Sequence, residues 1–334
     1  MATEKGKNSI DRKPDTLLNC MKDGREYESI VKFKDKEHID FGQELQKAIA
    51  EIKAIRGREI ICYAGNVLKK NLKKSVSIDN DDDLPFSEMI NSLPSGTEEL
   101  DIILVTGGGS ANQVAKFVDK LRGKRVTFLI PNIAMSAGTI FALSGDEIIM
   151  GANSYLGPVD PQVVDKDGAM VSAQVILNVL EVIERRMVDA ENNKMPHRRT
   201  DIHLLNNINP YRVGVAQNST DLIIGMLVDY LVKYRLKNWS PHPDKKPAIH
   251  SERVKKAREI AEKFCNHSIW KSHDKGITRL EAYELCDLEI TAVESITGLE
   301  RAFRRFWALL YYTFKSTHVR KIYGTTTNYF IAES

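Results

Sequence analysis

Nothing in this 334-residue chain is scarce or abundant enough to assign a function by composition alone. A strong excess of one charge sign is missing: 48 Lys and Arg stand against 45 Asp and Glu, a net +3. No basic stripe with interleaved aromatics occurs, so a nucleic-acid groove is not expected. Cysteine is sparse. Cys20, Cys62, Cys265 and Cys286 share no C-x-x-C spacing, which argues against a disulfide framework or zinc site and reads as the reduced thiols of a cytoplasmic protein. No G-x-G-x-x-G follows a strand, so no dinucleotide cofactor is implied. The opening MATEKGKNSIDRKPD lacks the apolar stretch of a secretory signal. No internal repeat or low-complexity tract is present. The one long uncharged run, Val126–Gly145, matches a membrane span in length, but Pro131, Asn132, Ser136 and Gly138 interrupt it. A strand, a loop and a buried helix account for it better.

What is present is concentrated between Leu100 and Gln162. Apolar runs at Asp101–Val105, Val126–Ile130 and Glu147–Met150 alternate with helical patterns at Ala111–Leu121 and Ala134–Leu143. This alternation predicts an α/β fold built on a parallel βαβαβ unit with right-handed crossovers. Two of its turns carry chemistry. Gly107-Gly108-Gly109 ends the first strand, and Met135-Ser136-Ala137-Gly138 opens the second helix. Glycines allow positive φ and bring bare N–H groups close to a ligand. A serine at a helix start lies among unpaired N–H groups that favour negative charge. Together these suit acyl transfer: Ser136 attacks a carbonyl, and the N–H of Gly108 or Gly109 with that of Ala137 holds the oxyanion. A tight turn beside a small buried serine is the plainer alternative.

The same residues resemble the Clp protease/crotonase superfold. Within it they are most similar to the serine dehydrogenase proteinase family, relatives of signal peptide peptidase A. Gly108-Gly109 and Ser136 match that family's glycine turn and serine, as do AMSAGT at Ala134–Thr139, DEIIMG at Asp146–Gly151 and LGPVDPQ at Leu156–Gln162. The family's usual Thr-Pro-Gly-Gly is here Thr106-Gly107-Gly108-Gly109; the proline is lost and both donor glycines remain. A further similar block spans Ile269–Ile290. The resemblance implies a core of repeated β-β-α spiral units with a parallel sheet, a C-terminal helical region, serine peptidase activity on peptides or unfolded or membrane-derived proteins, no cofactor, and assembly into a homo-oligomer, with membrane-associated substrates or partners in some relatives.

A serine nucleophile needs a base. Clp proteases place a histidine shortly after the third strand, but Leu156–Asp160 contains none. Signal peptide peptidases use a lysine, yet the helix expected at Val171–Ala190 offers only Glu181, Glu184, Arg185 and Arg186 among its central charges, and arginine stays protonated. The remaining candidates are His273, whose neighbour Asp274 could tune it, and Lys166 and Lys194, which flank that helix. Asp160 is a candidate orienter. Asp201 and His203 lack a third ligand at useful spacing, so no metal is expected.

The rest of the chain reads as support. Residues 1–35 are polar and suggest a loosely held segment, 36–205 the catalytic core, and 206–334 a mainly helical region. Ser251, Thr278-Arg-Leu-Glu281 and Thr297-Gly-Leu-Glu300 are expected helix caps. An aromatic stripe, Leu299, Phe303, Phe306, Leu310 and Phe314, suggests core or subunit contact, and the tail NYFIAES an edge strand. Two further readings stand beside the peptidase: a binding or assembly protein with a degenerate site, and a crotonase-like enzyme acting on acyl-thioesters.

Overall fold

A computed structural model of the chain describes residues 16–35, 39–69, 75–164, 168, 170–241 and 246–333. Eleven strands occur among them: β1 (Glu59–Gly65), β2 (Glu99–Val105), β3 (Arg125–Ile130), β4 (Ile133–Ala134), β5 (Glu147–Met150), β6 (Tyr155–Leu156), β7 (Gln162–Val164), β8 (Met170–Ser172), β9 (Thr291–Ala292), β10 (Val319–Thr325) and β11 (Tyr329–Glu333). Seven of them form one sheet in the order β11-β10-β1-β2-β3-β5-β9. It is parallel from β1 to β9, in the register Ile61↔Ile102, Ile102↔Phe128 and Phe128↔Ile148. The hairpin β10–β11 adds to β1 antiparallel. The fold is therefore mixed α/β on a mostly parallel sheet, as expected, and the tail does form an edge strand.

These strands read as continuous apolar runs because helices cover both faces. Alternate side chains serve two cores. Tyr63, Ile102, Leu104 and Phe128 pack with Phe86, Phe117 and Phe141 on one face. Ile60, Cys62, Ile103 and Leu129 pack with Ile49, Ile52, Phe306 and Leu310 on the other.

The helices are α1 (Leu17–Cys20), α2 (Glu26–Lys34), α3 (Phe41–Arg56), α4 (Asp83–Asn91), α5 (Ala111–Lys120), α6 (Ala137–Leu143), α7 (Ala173–Asn192), α8 (Arg199–Asn207), α9 (Pro210–Tyr230), α10 (His250–Cys265), α11 (His267–Trp270), α12 (Arg279–Cys286) and α13 (Leu299–Ser316). Local rules explain several ends. Asp40 caps α3 by accepting from Gln43 N–H, and Gly57 closes it in the left-handed region. Thr278 and Glu281 form the expected capping box of α12. The aromatic stripe of α13 is buried within this chain, so it is core.

Several expectations are corrected. Residues 17–34 are not loosely held: α1 and α2 bury Leu17, Leu18 and Ile30 against α3 and α13. A few well-placed apolar residues suffice there, however polar the average composition. Residues 1–15 lie outside the described part. The mainly helical C-terminal region holds as expected, with β9, β10 and β11 added from it to the sheet. The helix expected from Ala134 starts at Ala137, since Ala134 is held in β4 beside β6. Ser251 lies inside α10, which begins at His250. At α13 the cap is Gly298 at φ 81°, not Thr297. The uncharged run Val126–Gly145 resolves into β3, β4 and α6, and among the described residues no helix is long and apolar enough to cross a membrane.

Candidate active site

A short ladder at the carboxyl end of the sheet organises the site. Thr106 bridges Ala134, Ala134 pairs with Leu156, and Leu156 bridges Ile277. Neighbouring strands lie about 4.8 Å apart, so the whole ladder is roughly 14 Å wide. Each rung leads into a candidate residue. Gly108 and Gly109 follow Thr106, Ser136 follows Ala134, Asp160 follows Leu156, and His273 precedes Ile277.

Ser136 is the conformational outlier. It sits at φ 50°, ψ −118° at the N-cap of α6, outside every region a serine ordinarily occupies. Such backbone costs on the order of 1–3 kcal/mol and persists only where the surroundings impose it. Here they do. Met135 N–H donates to Thr106 O at 3.0 Å, Gly138 N–H to Met135 O at 2.7 Å, and Thr139 N–H to Ser136 O at 2.8 Å. The Thr139 hydroxyl lies 2.7 Å from Ala134 O and receives Gly157 N–H at 2.9 Å, tying the serine turn to the β6 strand. A side chain on residue 138 would approach the Thr106 methyl to 2.3 Å, so only glycine fits there. The result is a sharp strand-to-helix turn that lifts the serine hydroxyl, half-buried, off the end of the sheet.

The glycine turn faces it. Gly108 and Gly109 adopt φ 110° and φ 139°, open to glycine alone. A Cβ on Gly108 would lie 2.8 Å from Ser136 Cβ, and one on Gly109 would lie 2.3 Å from Ile78 O. Ile78 holds the turn from behind, donating to Gly108 O and accepting from Ser110 N–H, both at 2.8 Å. The Gly108 N–H is taken by the Thr106 hydroxyl at 3.1 Å. Among the described residues no acceptor meets the Gly109 or Ala137 N–H.

Asp160 and His273 meet directly. His273 Nδ1 lies 2.8 Å from Asp160 Oδ1, with Asp160 1% exposed and the imidazole 30% exposed. An ionised carboxylate only accepts, so Nδ1 donates and Nε2 of the neutral ring is left as an acceptor. Gln162 Nε2 donates to Asp160 Oδ2 at 3.3 Å, and His267 Nδ1 stands 3.7 Å from the same oxygen. Burial would raise the Asp160 carboxyl, but the hydrogen bond and charge of His273, with the charge of His267, outweigh it and hold it below the ordinary carboxylate range. The bond to Asp160 raises His273 above the ordinary histidine value, against the opposing effect of burial.

The structure thus sets the Gly108–Gly109 turn against Ser136 and Ala137 and pairs Asp160 with His273, the two groups being linked through the Ala134–Leu156–Ile277 ladder. It gives His273 Asp160 as its hydrogen-bonding carboxylate, in place of the expected neighbour Asp274, whose charge adds only a minor effect. Lys194 is separated from them. Helix α7 starts beside Asp160, where Ala173 N–H donates to Pro161 O, and runs 20 residues before Lys194. At 1.5 Å per residue that is about 30 Å away. Lys166 lies outside the described residues. Asp201 pairs with Arg186 and His203 with Asn207. Sequence reasoning missed His267, Thr139 and the Ile78 clamp. A cavity of about 560 Å³ between α2 and α13 touches none of the candidate residues.

A strained serine at a strand-to-helix turn thus faces a glycine turn, with the Gly109 and Ala137 N–H groups without an acceptor among the described residues. Residues 43–197 match the model of the ClpP-like SDH-type serine proteinase family. The chain is 33% identical over 127 residues, 35% of its length, to an uncharacterized protein of Methanocaldococcus jannaschii, covering 41% of that protein. It is 46% identical over 66 residues, 19% of its length, to a second uncharacterized protein of that organism, covering 23% of it. The chain thus spans under half the length of either relative. Two solved structures of the 1510-N membrane-bound stomatin-specific protease also resemble it. One is a lysine-to-alanine mutant in complex with a substrate peptide and the other a serine-to-alanine mutant. They share 17% and 16% identity at a TM-score of 0.38 each, over 65% of this chain and 71% and 75% of theirs.

Proposed function

We propose that the chain is a serine peptidase hydrolysing peptides or unfolded proteins through an acyl-enzyme on Ser136. The strained backbone of Ser136 carries this reading, because a non-glycine residue held at φ 50° is the kind of strain that clusters at active sites. His273 takes the hydroxyl proton on Nε2 as Ser136 attacks the scissile carbonyl. Asp160 holds the ring through Nδ1 and stabilises the imidazolium. The N–H groups of Gly109 and Ala137 receive the oxyanion. The imidazolium then protonates the leaving amine, and a water activated by the same nitrogen releases the acyl group. Cys62, Cys265 and Cys286 are buried thiols outside any disulfide, which fits a reducing, cytoplasmic compartment.

One observation favours the binding-protein reading: among the described residues the Ser136 hydroxyl has no hydrogen-bond partner. Reaction with a fluorophosphonate probe separates the two. Labelling of the native chain that disappears in Ser136→Ala, with peptide cleavage lost in parallel, supports the peptidase. A folded chain that neither labels nor cleaves an unfolded substrate supports the binding protein.

A further inference from the structure

A lysine with no exposed surface lies away from the proposed nucleophile. Lys321, on β10, is 0% exposed, and so is the carboxylate it meets, Asp82 Oδ1, at 2.6 Å. The Tyr63 hydroxyl donates to Asp82 Oδ2 at 2.9 Å, and the Tyr323 hydroxyl donates to Oδ1. Burial and the Asp82 charge raise both phenols, so both stay protonated as donors. Placing a charge pair and two hydroxyls in the interior costs desolvation, and an apolar cluster would fill the space as well. Its geometry points to a use.

The network ends at the glycine turn. Asp79 N–H donates to Asp82 Oδ2 at 2.8 Å, and Lys321 Nζ also reaches Asp79 Oδ1 at 3.3 Å. The next residue back is Ile78, whose N–H and C=O grip Gly108 and Ser110 and whose carbonyl excludes any side chain at Gly109. A strand-like bridge of one residue is a weak hold on a turn of consecutive glycines. Asp79, next to it, is tied to the buried Asp82 and Lys321.

We infer that Lys321, Asp82, Tyr63 and Tyr323 are positioning residues that fix the Ile78 clamp and so aim the Gly109 N–H at the oxyanion. The inference rests on the serine-peptidase reading for its catalytic meaning. A donor held in advance stabilises charge that forms only in the transition state, so its loss lowers kcat more than it raises KM.

The test uses the full chain with Tyr63→Phe, Tyr323→Phe, their double variant, and Lys321→Met. The phenylalanine variants keep the packed rings, so they decide the matter if Lys321→Met fails to fold. Two readouts are needed: kcat and KM on a peptide substrate, and the Gly109 amide resonance in glycine-labelled protein. The expected result is a displaced Gly109 resonance and a kcat lowered about ten-fold or more, with KM changed about two-fold or less. An unchanged Gly109 resonance and kcat in the folded variants overturns it. So does a loss of thermal stability with no kcat-specific effect, which marks a structural role only. If the native chain shows no Ser136-dependent hydrolysis, the peptidase reading fails. An unmoved Gly109 resonance then rejects the clamp separately.

Discussion

His273 Nδ1 and Asp160 Oδ1 are 2.8 Å apart although 113 positions separate them in the chain. The Leu156–Ile277 bridge, with hydrogen bonds of 3.0 and 2.8 Å, places them side by side. The segment after β6 thus supplies a carboxylate, and an imidazole from beyond α11 is brought against it.

The pair sets a pH dependence. His273 is raised in the folded chain, so its stabilising effect is complete below the unfolded value near 6.5 and is lost as pH rises through the higher folded value. Asp160 is lowered, so its contribution is present above about 4 and is lost as pH falls through its folded value. The ion pair is strongest between these limits. As a base, His273 works only when neutral. The rise of kcat/KM with pH should therefore have its midpoint above about 6.5, and Asp160→Asn should move that midpoint down. A midpoint that Asp160→Asn leaves in place would rule out the pairing as the source.

Ser136→Gly should abolish cleavage and yet stabilise the chain. Glycine accepts φ 50°, so relieved strain should outweigh the greater freedom of the unfolded chain by about 1 kcal/mol. Thermal unfolding of the native and variant chains measures this. A lower Tm in the variant would contradict the strain.

Gly138→Ala should destabilise the chain by about 1–3 kcal/mol, because the added methyl meets the Thr106 Cγ2 at 2.3 Å. Thr106→Ser removes that carbon while keeping the hydroxyl that receives Gly108 N–H. The double variant should recover part of the loss in denaturant unfolding. Simple additivity would show that the contact is not the cause.

Helix α7 leaves Val175, Val179 and Val182 about 40% exposed on one face. We expect this stripe to be covered in a homo-oligomer. Light scattering at micromolar concentration should give a multiple of the chain mass, reduced by Val179→Glu. A monomer mass for the native chain would refute it.

The parallel core was legible because strands buried on both faces must be apolar throughout, and β5 matches the expected Glu147–Met150. The turns were legible because positive φ and close approach select glycine. Ser136 was located from its place at a helix start, but its strain was not, since a backbone angle leaves no mark on a serine. Strand β10 was invisible for the opposite reason: VRKIYGT contains a lysine that any surface rule would expose, and only the distant Asp82 explains its burial. The Asp160–His273 pair arises from a bridge between segments with no shared periodicity.

The pairing of β1 with β10 also bears on timing. Ile61–Gly65 finds its partner at Lys321–Thr325, across most of the chain's length. Loop closure of that span makes this contact one of the slowest to form, and during synthesis it waits for β10 to emerge. Until then Asp82 has no Lys321 and the glycine turn has no firm backing. On the proposed peptidase and clamp, cleavage would wait for β10 to pair with β1, so a chain still lacking β10 would not yet cut its neighbours.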